Sequence, residues 1–600
     1  MYMEFPGIDY TEKNWDSSQA IVGGATDICG VIGIFQKGPI NKPTLCTTFD
    51  QVIETFGSYM SNAYAMYSIR GFFKNRGGSG NLYVTRVVHY ADITDASTLT
   101  AKQASGGVKD RRASNAEDTL NFYDKWLGAL GNTYGYKITD DHRVSVVTTD
   151  ALKVDDQIIT TKIVRNFLVG DYVKISDDTN SEYGKITSID ASKRQITIDT
   201  KLTNAYAAGA KVCTADVTIG IYRKTVSGYT LEKEFVGVNM DPDSPYYVES
   251  VINSQASGST LVEVKDQVVD VEHVYEKLPV VTDTDDNKAT DGIVYLTGGD
   301  DGLKDITDMD FIGDAASKTG NYAFDDIHDM IHVWCPESAS MSVIRNGYDY
   351  WTSKMTGMFF AMVPSGLNPK GAADFRDEAG WNTSYGTLYH NWGYVTDPLG
   401  MGDNPEKLVP LTGHVLGAMG LNDDTNENEY GSAPAGEDMV LLDVNRLEFE
   451  VDEQNGGIMY GNKNRNVNPI IELSNNGGIV VWGSRTQEAT DKKWFQIHAR
   501  RIFIYAETNI TQQTRWMVFK NKNDTLYTRV NRVVSKFLRG LKGLKGQTDA
   551  ERFAFVCDST INDPDDSYVI ARIGLSIDAV AEFIWFEFGH MPDGISLSEV

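Results

Sequence analysis

The feature that most constrains this chain is the run from Thr528 to Gly546. Val530, Val533, Val534, Phe537, Leu538 and Leu541 fall at i, i+3, i+4, i+7, i+8 and i+11, the stripe that an amphipathic helix lays against a core. Arg529, Arg532, Lys536 and Arg539 lie on its other side, and the run holds six basic and no acidic residues. The chain as a whole is acidic: 55 Lys and Arg against 83 Asp and Glu give a formal charge of -28 over 600 residues. A basic face gathered on one helix of such a chain needs a reason other than solubility.

Upstream, Ile479, Val480, Val481 and Trp482 form a short apolar run bounded by glycines, which reads as a strand buried on both faces. Lys493 to Thr508 is too crowded with apolar residues to settle its period; helix and long strand both stay open, with helix preferred. Near the end of the chain, Glu582, Ile584, Phe586 and Phe588 alternate with Phe583, Trp585 and Glu587, so Ala581 to Phe588 reads as a strand with strong β-formers on both faces. Ile8, Tyr10 and Glu12 alternate with Asp9, Thr11 and Lys13 in a second extended segment near the start.

Between these ends, Ile28 to Val88 reads strand, turn, helix, helix, strand, an α/β unit. Ala91 to Asp291 turns rich in Thr, Val, Ile, Asp and Gly with short alternating runs, an all-β signature. Within it, F-L-V-G-D-Y-V-K-I, Y-G-K-I-T-S-I-D and Q-I-T-I-D-T-K-L recur at short spacing, so Ile138 to Cys213 reads as an inserted small β-barrel or sandwich. I-H-V-W-C-P-E and G-M-F-F-A-M-V-P read as buried parallel strands, with a helical run near Met341 to Ser353 between them. The acidic stretch from Leu421 to Gly436 reads as a solvated surface loop.

Composition excludes several classes. The acidic balance argues against nucleic acid or an anionic membrane as main partner. Five scattered cysteines without a C-x-x-C pair give neither a disulfide framework nor a zinc site. No apolar stretch approaches the roughly 20 residues of a membrane span. The first residues, with Glu4 and Asp9, lack a basic segment followed by an apolar run, so synthesis in the cytosol is expected. Ser365 and His414 are the nominees for a nucleophile and base, but G-x-S-x-G and related motifs are missing. His328 and His332 stand four apart, a metal-binding spacing on a helix, without a Glu between them or a third ligand. Asp283, Asp285 and Asp291 lack the glycine and final acid of a calcium loop. No catalytic, cofactor-binding or metal residue is therefore assigned.

Five motifs in order from Asn468 to Leu541 carry a resemblance: N-P-I, G-I-V-V-W-G-S-R-T, R-R-I-F-I, W-M-V-F, and R-V-N-R-V-V-S-K-F-L-R-G-L. Together they resemble the C-terminal domain of contractile tail sheath proteins of phages and phage-like injection systems. K-G-P-I-N-K-P, R-G-F-F, Y-V-T-R-V, M-D-P-D-S-P-Y-Y-V and L-T-G-G-D-D-G-L are similar to further sheath segments, whereas Leu411, Thr412 and Gly413 depart from the family's P-P-S-G. The resemblance implies a multidomain α/β and α+β fold. Its parts are an N-terminal extended arm (1–20), an α/β segment packing with the core (21–90) and a β-rich sandwich or barrel domain (91–291) with the outward-facing insert at 138–213. A subtilisin-like α/β domain (292–464), a C-terminal sheath domain facing the tube (465–578) and a C-terminal arm strand and tail (579–600) complete it.

The implied function is that of a non-enzymatic subunit that polymerises helically around an inner tail tube and contracts to drive the tube through a target envelope. Implied partners are further copies in stacked hexameric rings, the tube protein, and baseplate and terminator proteins; no nucleic acid, membrane or cofactor is implied. Assembly is placed in the host cytoplasm and residence in the virion tail or an equivalent particle. Arg529, Arg532, Lys536 and Arg539 are assigned to tube contact. Ile8, Tyr10, Glu12, Phe583, Trp585, Phe586 and Phe588 are assigned to strand exchange between subunits, and Ile479 to Trp482 to the sheet that receives those strands. The alternatives are a hydrolase using the α/β domain and a β-rich surface protein or adhesin.

Overall fold

A computed structural model describes residues 28–112, 116–267, 273–283, 290–426, 429–473, 478–563 and 565–584. Its largest sheet contains β1 (Ile28–Gly33), β2 (Thr44–Thr48), β3 (Ser79–Arg86), β4 (Ile331–Trp334), β5 (Gly357–Met362), β6 (Gly386–His390), β7 (Val467–Leu473) and β8 (Gly478–Val481). The spatial order is β2-β3-β1-β4-β5-β6-β7-β8. All pairings are parallel except β2 on β3 and β8 on β7. Every residue of β1, β4, β5 and β6 is buried, as parallel strands packed by helices require. Because β1 lies between β3 and β4, the first segment of the chain completes the same sheet that residues 331–390 build. Edge strand β2 has no counterpart in the sequence reading; its T-L-C-T-T buries only Cys46 and carries little apolar signal.

Helices that share this sheet's hydrophobic core include α1 (Phe49–Phe56), α2 (Ala65–Asn75), α3 (Met341–Lys354), α4 (Thr412–Thr425), α5 (Ile497–Gln513) and α6 (Asp524–Arg539). Local chemistry sets several of their starts, with Thr48 accepting from the Gln51 N–H and Ser340 from the Val343 N–H. The start of α2 is capped from far away in sequence. Glu337, just after β4, accepts the N–H groups of Tyr64 at 2.9 Å and Ala65 at 2.8 Å. The glycines of α4 permit its close approach to α2: a Cβ at Gly413 would lie 2.3 Å from the Ser68 carbonyl oxygen, and one at Gly417 2.2 Å from that of Phe72.

The undecided stretch 493–508 is helix from Ile497 onward. It carries Arg501, whose side chain is fully buried against an Asp423 side chain that is 2% exposed. The guanidinium donates to Asp423 Oδ1 at 2.9 Å and also to Oδ2, while its Nε donates to His332 Nε2 on β4 at 3.2 Å. Burial, and secondarily the Arg501 charge, holds His332 well below the ordinary imidazole range, so the ring is neutral and accepts. This corrects the reading of 421–436 as a solvated loop: α4 continues to Thr425, Asp423 neutralises a buried arginine, and Asp424 pairs with Arg76 at 2.6 Å. A buried guanidinium needs a desolvated carboxylate beside it, and composition cannot tell such a residue from an exposed one.

A second core is built by strands Gln103–Lys109, Asp118–Leu127, Tyr134–Thr139, Val217–Thr225, Gly228–Val238 and Val262–Asp266. Phe122 stacks on Tyr136 within it, centroids 3.9 Å apart. Between Thr139 and Val217 the chain makes a third core of its own, from six short strands spanning Ser145–Val147 to Lys211–Thr214. The bridge Thr148↔Thr161 joins the two outer strands and closes the sheet on itself. Ile138, set at the insert's first residue by the sequence, instead pairs with Ile219 and lies in the second core. The insert is clamped to its host: Tyr183 stacks on Tyr275 at 4.1 Å, and Arg143 pairs with Asp171 at 2.7 Å while lying 4.1 Å over Tyr246.

Two outcomes test this arrangement. Asp423→Ala leaves Arg501 buried and unneutralised and should cost about 3–5 kcal/mol in urea unfolding; the double variant Asp423→Leu, Arg501→Met should cost clearly less than the single one. Equal losses would show that the pair is not the determinant. Because Thr139 and Thr218 are direct strand partners, replacing 140–216 with a short Gly/Ser turn should leave a folded protein with near-native circular dichroism outside the lost strands. An aggregated product would show that the host core depends on the insert.

Candidate functional site

Helix α6 starts where the Asn523 side chain accepts the Leu526 N–H at 3.0 Å. It buries Leu526, Tyr527, Val530, Val533, Val534, Phe537 and Leu538, the stripe read from the sequence. The four basic residues opposite are not equivalent. Arg529 is half-buried, its guanidinium 4.2 Å from the Trp516 ring. Arg539 pairs with Asp549 at 2.6 Å. Arg532 and Lys536 are exposed. Arg552, which no pattern singled out, donates to the carbonyl oxygens of Arg539 at 3.1 Å and Leu541 at 2.6 Å, closing the helix's C-terminal end.

The assignment of Ile479 to Trp482 as a receiving edge is not supported by the geometry. On one side β8 pairs with β7. On the other it is covered by the chain's own backbone: the Leu441 N–H reaches the Ile479 carbonyl at 2.7 Å, and the Val481 N–H reaches Met439 at 3.1 Å. Trp482, read as buried, is 45% exposed. The cause is that residues 436–441 return to this edge, which no local pattern announces. A different small sheet keeps its edges open. Strands β9 (Phe553–Val556) and β10 (Arg572–Leu575) pair only with each other among the described residues. Phe553, Phe555 and Leu575 pack inward, while Val556 and Ile573 are 39% and 36% exposed.

Of the residues assigned to strand exchange, Ile8, Tyr10, Glu12, Trp585, Phe586 and Phe588 lie outside the described residues. Phe583 is described and is 77% exposed. Just before it, Glu582 is docked on the body: its carboxylate accepts from Tyr460 Oη and Gln496 Nε2, both at 2.6 Å, and from the Arg485 guanidinium.

No family model matches the chain. The tail sheath protein of Salmonella phage ViI aligns over 649 positions at 21% identity, covering 99% of this chain and 97% of that one. This chain is similar to a tail sheath protein along nearly its whole length. The tail sheath protein of Enterobacteria phage T4 is 24% identical over 184 residues, which is 30% of this chain and 26% of that protein. Among solved structures, the helical sheath of the anti-feeding prophage in its contracted state aligns with a TM-score of 0.48 and 14% identity, over 98% of this chain and 100% of that one. A sheath tail protein from Listeria innocua aligns with a TM-score of 0.47 and 9% identity, over 93% and 96%.

The residues nominated for catalysis and metal binding lie in dissimilar surroundings. Ser365 is exposed on the turn after β5, whereas His414 is buried in α4 with its ring against Gly71. His332 is a strand residue bonded to Arg501, so the helical spacing assumed for His328 and His332 does not apply. Among the described residues no group of three His, Cys, Asp or Glu is placed to hold a metal ion, and no helix is long and apolar enough to cross a membrane.

His332, His390, His414 and His498 are all buried, and burial holds each below the ordinary imidazole value, His414 down to about 4. Unfolded imidazoles titrate near 6.5, so below that pH the unfolded chain binds more protons than the folded one. Stability from these rings is complete above about pH 6.5 and is lost as pH falls below it. His414→Gln should flatten the fall in unfolding free energy between pH 7 and pH 5 by about 2 kcal/mol, read from urea titrations at each pH. A slope identical to the parent protein's would contradict a buried neutral ring.

Proposed function

We propose that this chain is a non-enzymatic structural subunit of a contractile tail sheath, which polymerises helically around an inner tail tube and contracts to drive that tube through a target envelope. The observation that carries the reading is the alignment to a tail sheath protein along 99% of this chain and 97% of the other. In this reading the eight-stranded sheet is the subtilisin-like domain of a sheath, used as a scaffold. Partners are further copies in stacked rings, the tube protein, and baseplate and terminator proteins. Assembly takes place in the host cytoplasm, and the product resides in the virion tail or an equivalent particle.

Within α6, Arg532 and Lys536 are the members open to an acidic tube surface, which favours electrostatic attraction from a chain of charge -28. Arg529 and Arg539 shape that face through Trp516 and Asp549. For strand exchange, β9 and β10 are the receiving sheet, because a two-stranded sheet is marginal alone and gains from added strands. The segments around Ile8 to Glu12 and Phe583 to Phe588 supply those strands from neighbouring copies. Such contacts are not self-complementary and so generate open helical assemblies.

The test is co-assembly with the tube protein followed by electron microscopy and sedimentation. The wild-type chain should form tubes on the tube protein. Arg532→Glu, Lys536→Glu should abolish co-sedimentation while changing unfolding free energy by no more than about 0.5 kcal/mol, since both side chains are exposed. Co-sedimentation unaffected by those reversals and by salt would remove the electrostatic contact.

A further inference from the structure

The polar cluster at Glu582 is far better built than a chance surface contact. Its partners come from residues 122, 97 and 86 positions earlier in the chain. Glu582 Oε1 accepts from Tyr460 Oη at 2.6 Å, Gln496 Nε2 at 2.6 Å and Arg485 Nε at 3.0 Å, and Oε2 accepts from Arg485 Nε at 3.1 Å and from Nη2. The arginine is itself held in place. Its N–H donates to Asn468 Oδ1 at 2.7 Å and its Nη1 to Asn466 Oδ1 at 3.3 Å, and its guanidinium lies 4.3 Å over the Tyr460 ring. Arg485 is 8% exposed, so without a carboxylate it would be a largely buried, unneutralised cation.

The chain approaching this cluster is also secured. After β10, Ser576 and Ile577 lie against Lys545 and Leu544, and the Asp578 N–H donates to the Gly543 carbonyl at 3.1 Å. The Asp578 carbonyl oxygen lies 3.1 Å from His498 Nε2. Immediately past Glu582 the character reverses: Phe583 and Ile584 are 77% and 72% exposed, two large apolar residues facing solvent at the point where residues 585–600 begin.

We infer that Arg485, Tyr460 and Gln496 form a carboxylate-binding pocket whose occupant is the chain's own Glu582, and that this pocket fixes the point from which the C-terminal arm leaves the subunit. The anchor is a property of the single chain; its purpose rests on the sheath reading. A strand that must reach a neighbour's sheet adds with a smaller ordering cost when its first residue is already held in position. Fixing Glu582 also ends a docked strap, 576–582, just before the segment that the sheath reading assigns to strand exchange. Removing the chain after Asp578 would therefore delete the anchor together with the arm, and a cut after Ile584 is the one that removes the arm alone.

Hydrogen exchange on the 600-residue chain decides the anchor, and tube formation decides its purpose. Glu582→Gln should raise exchange across 576–584 by at least about tenfold, the loss of charge-assisted hydrogen bonds, with α5 and α6 unchanged. Tyr460→Phe, which keeps the ring, should give a smaller rise in the same segment and stands in should Glu582→Gln not fold. Exchange across 576–584 equal to wild type in the folded variants overturns the inference. If exchange rises and Glu582→Gln forms no tubes where wild type does, both the anchor and its purpose are supported. If exchange rises but wild type forms no tubes with the tube protein, the anchor stands and the sheath reading fails.

Discussion

The fully buried pair of Arg501 and Asp423 is the contact on which much of this architecture depends. It joins α5 to α4, and through His332 it reaches β4 in the middle of the large sheet. Three segments separated by many residues must be in place together before the guanidinium is neutralised, so the arrangement is close to all-or-none. A charge this deeply buried contributes little net stability compared with an apolar replacement. Its effect is on uniqueness: any other docking of α5 leaves a cation in a dry interior. Glu337 also joins segments far apart in sequence, reaching from just after β4 to cap α2.

Electrostatics is distributed unevenly over the molecule. The chain carries a charge of -28, and the exposed part of α6 is a basic patch on it, to which Arg532 and Lys536 contribute exposed charge. The other basic residues are committed internally, Arg539 to Asp549 and Arg552 to the end of the helix. Arg485 is committed too, to Glu582, which turns a basic residue into an attachment point for the chain's own end.

Much of the fold was legible. The stripe from Val530 to Leu538, the buried strands at Ile331 and Gly357 and the helix at Met341 follow from periodicity and turn residues and lie where the pattern put them, and a separate β-core follows too, though it begins after Ile138. The motifs from Asn468 to Leu541 were enough to name the family to which the full-length relative belongs. The candidate site was legible in kind but not in detail. Two of the four basic residues on α6 have neighbours that set them apart from Arg532 and Lys536. The edge at Ile479 is filled by residues 436–441, and Glu582, read as one member of an alternating strand, is instead an anchor.

By itself the sequence determined the elements, since helical and strand periodicity record which faces are apolar, and short-range chemistry such as Thr48 and Asn523 at helix starts is local by nature. Tertiary structure alone decided which charges are buried and with what. Asp423 and Arg501 lie 78 residues apart, and Glu582 and Arg485 lie 97 apart. A carboxylate in solvent and one inside a core are spelled by the same letter. Only the path of the chain brings the partner within hydrogen-bond reach and removes the water, and the energy of an ionic contact is set by those two conditions.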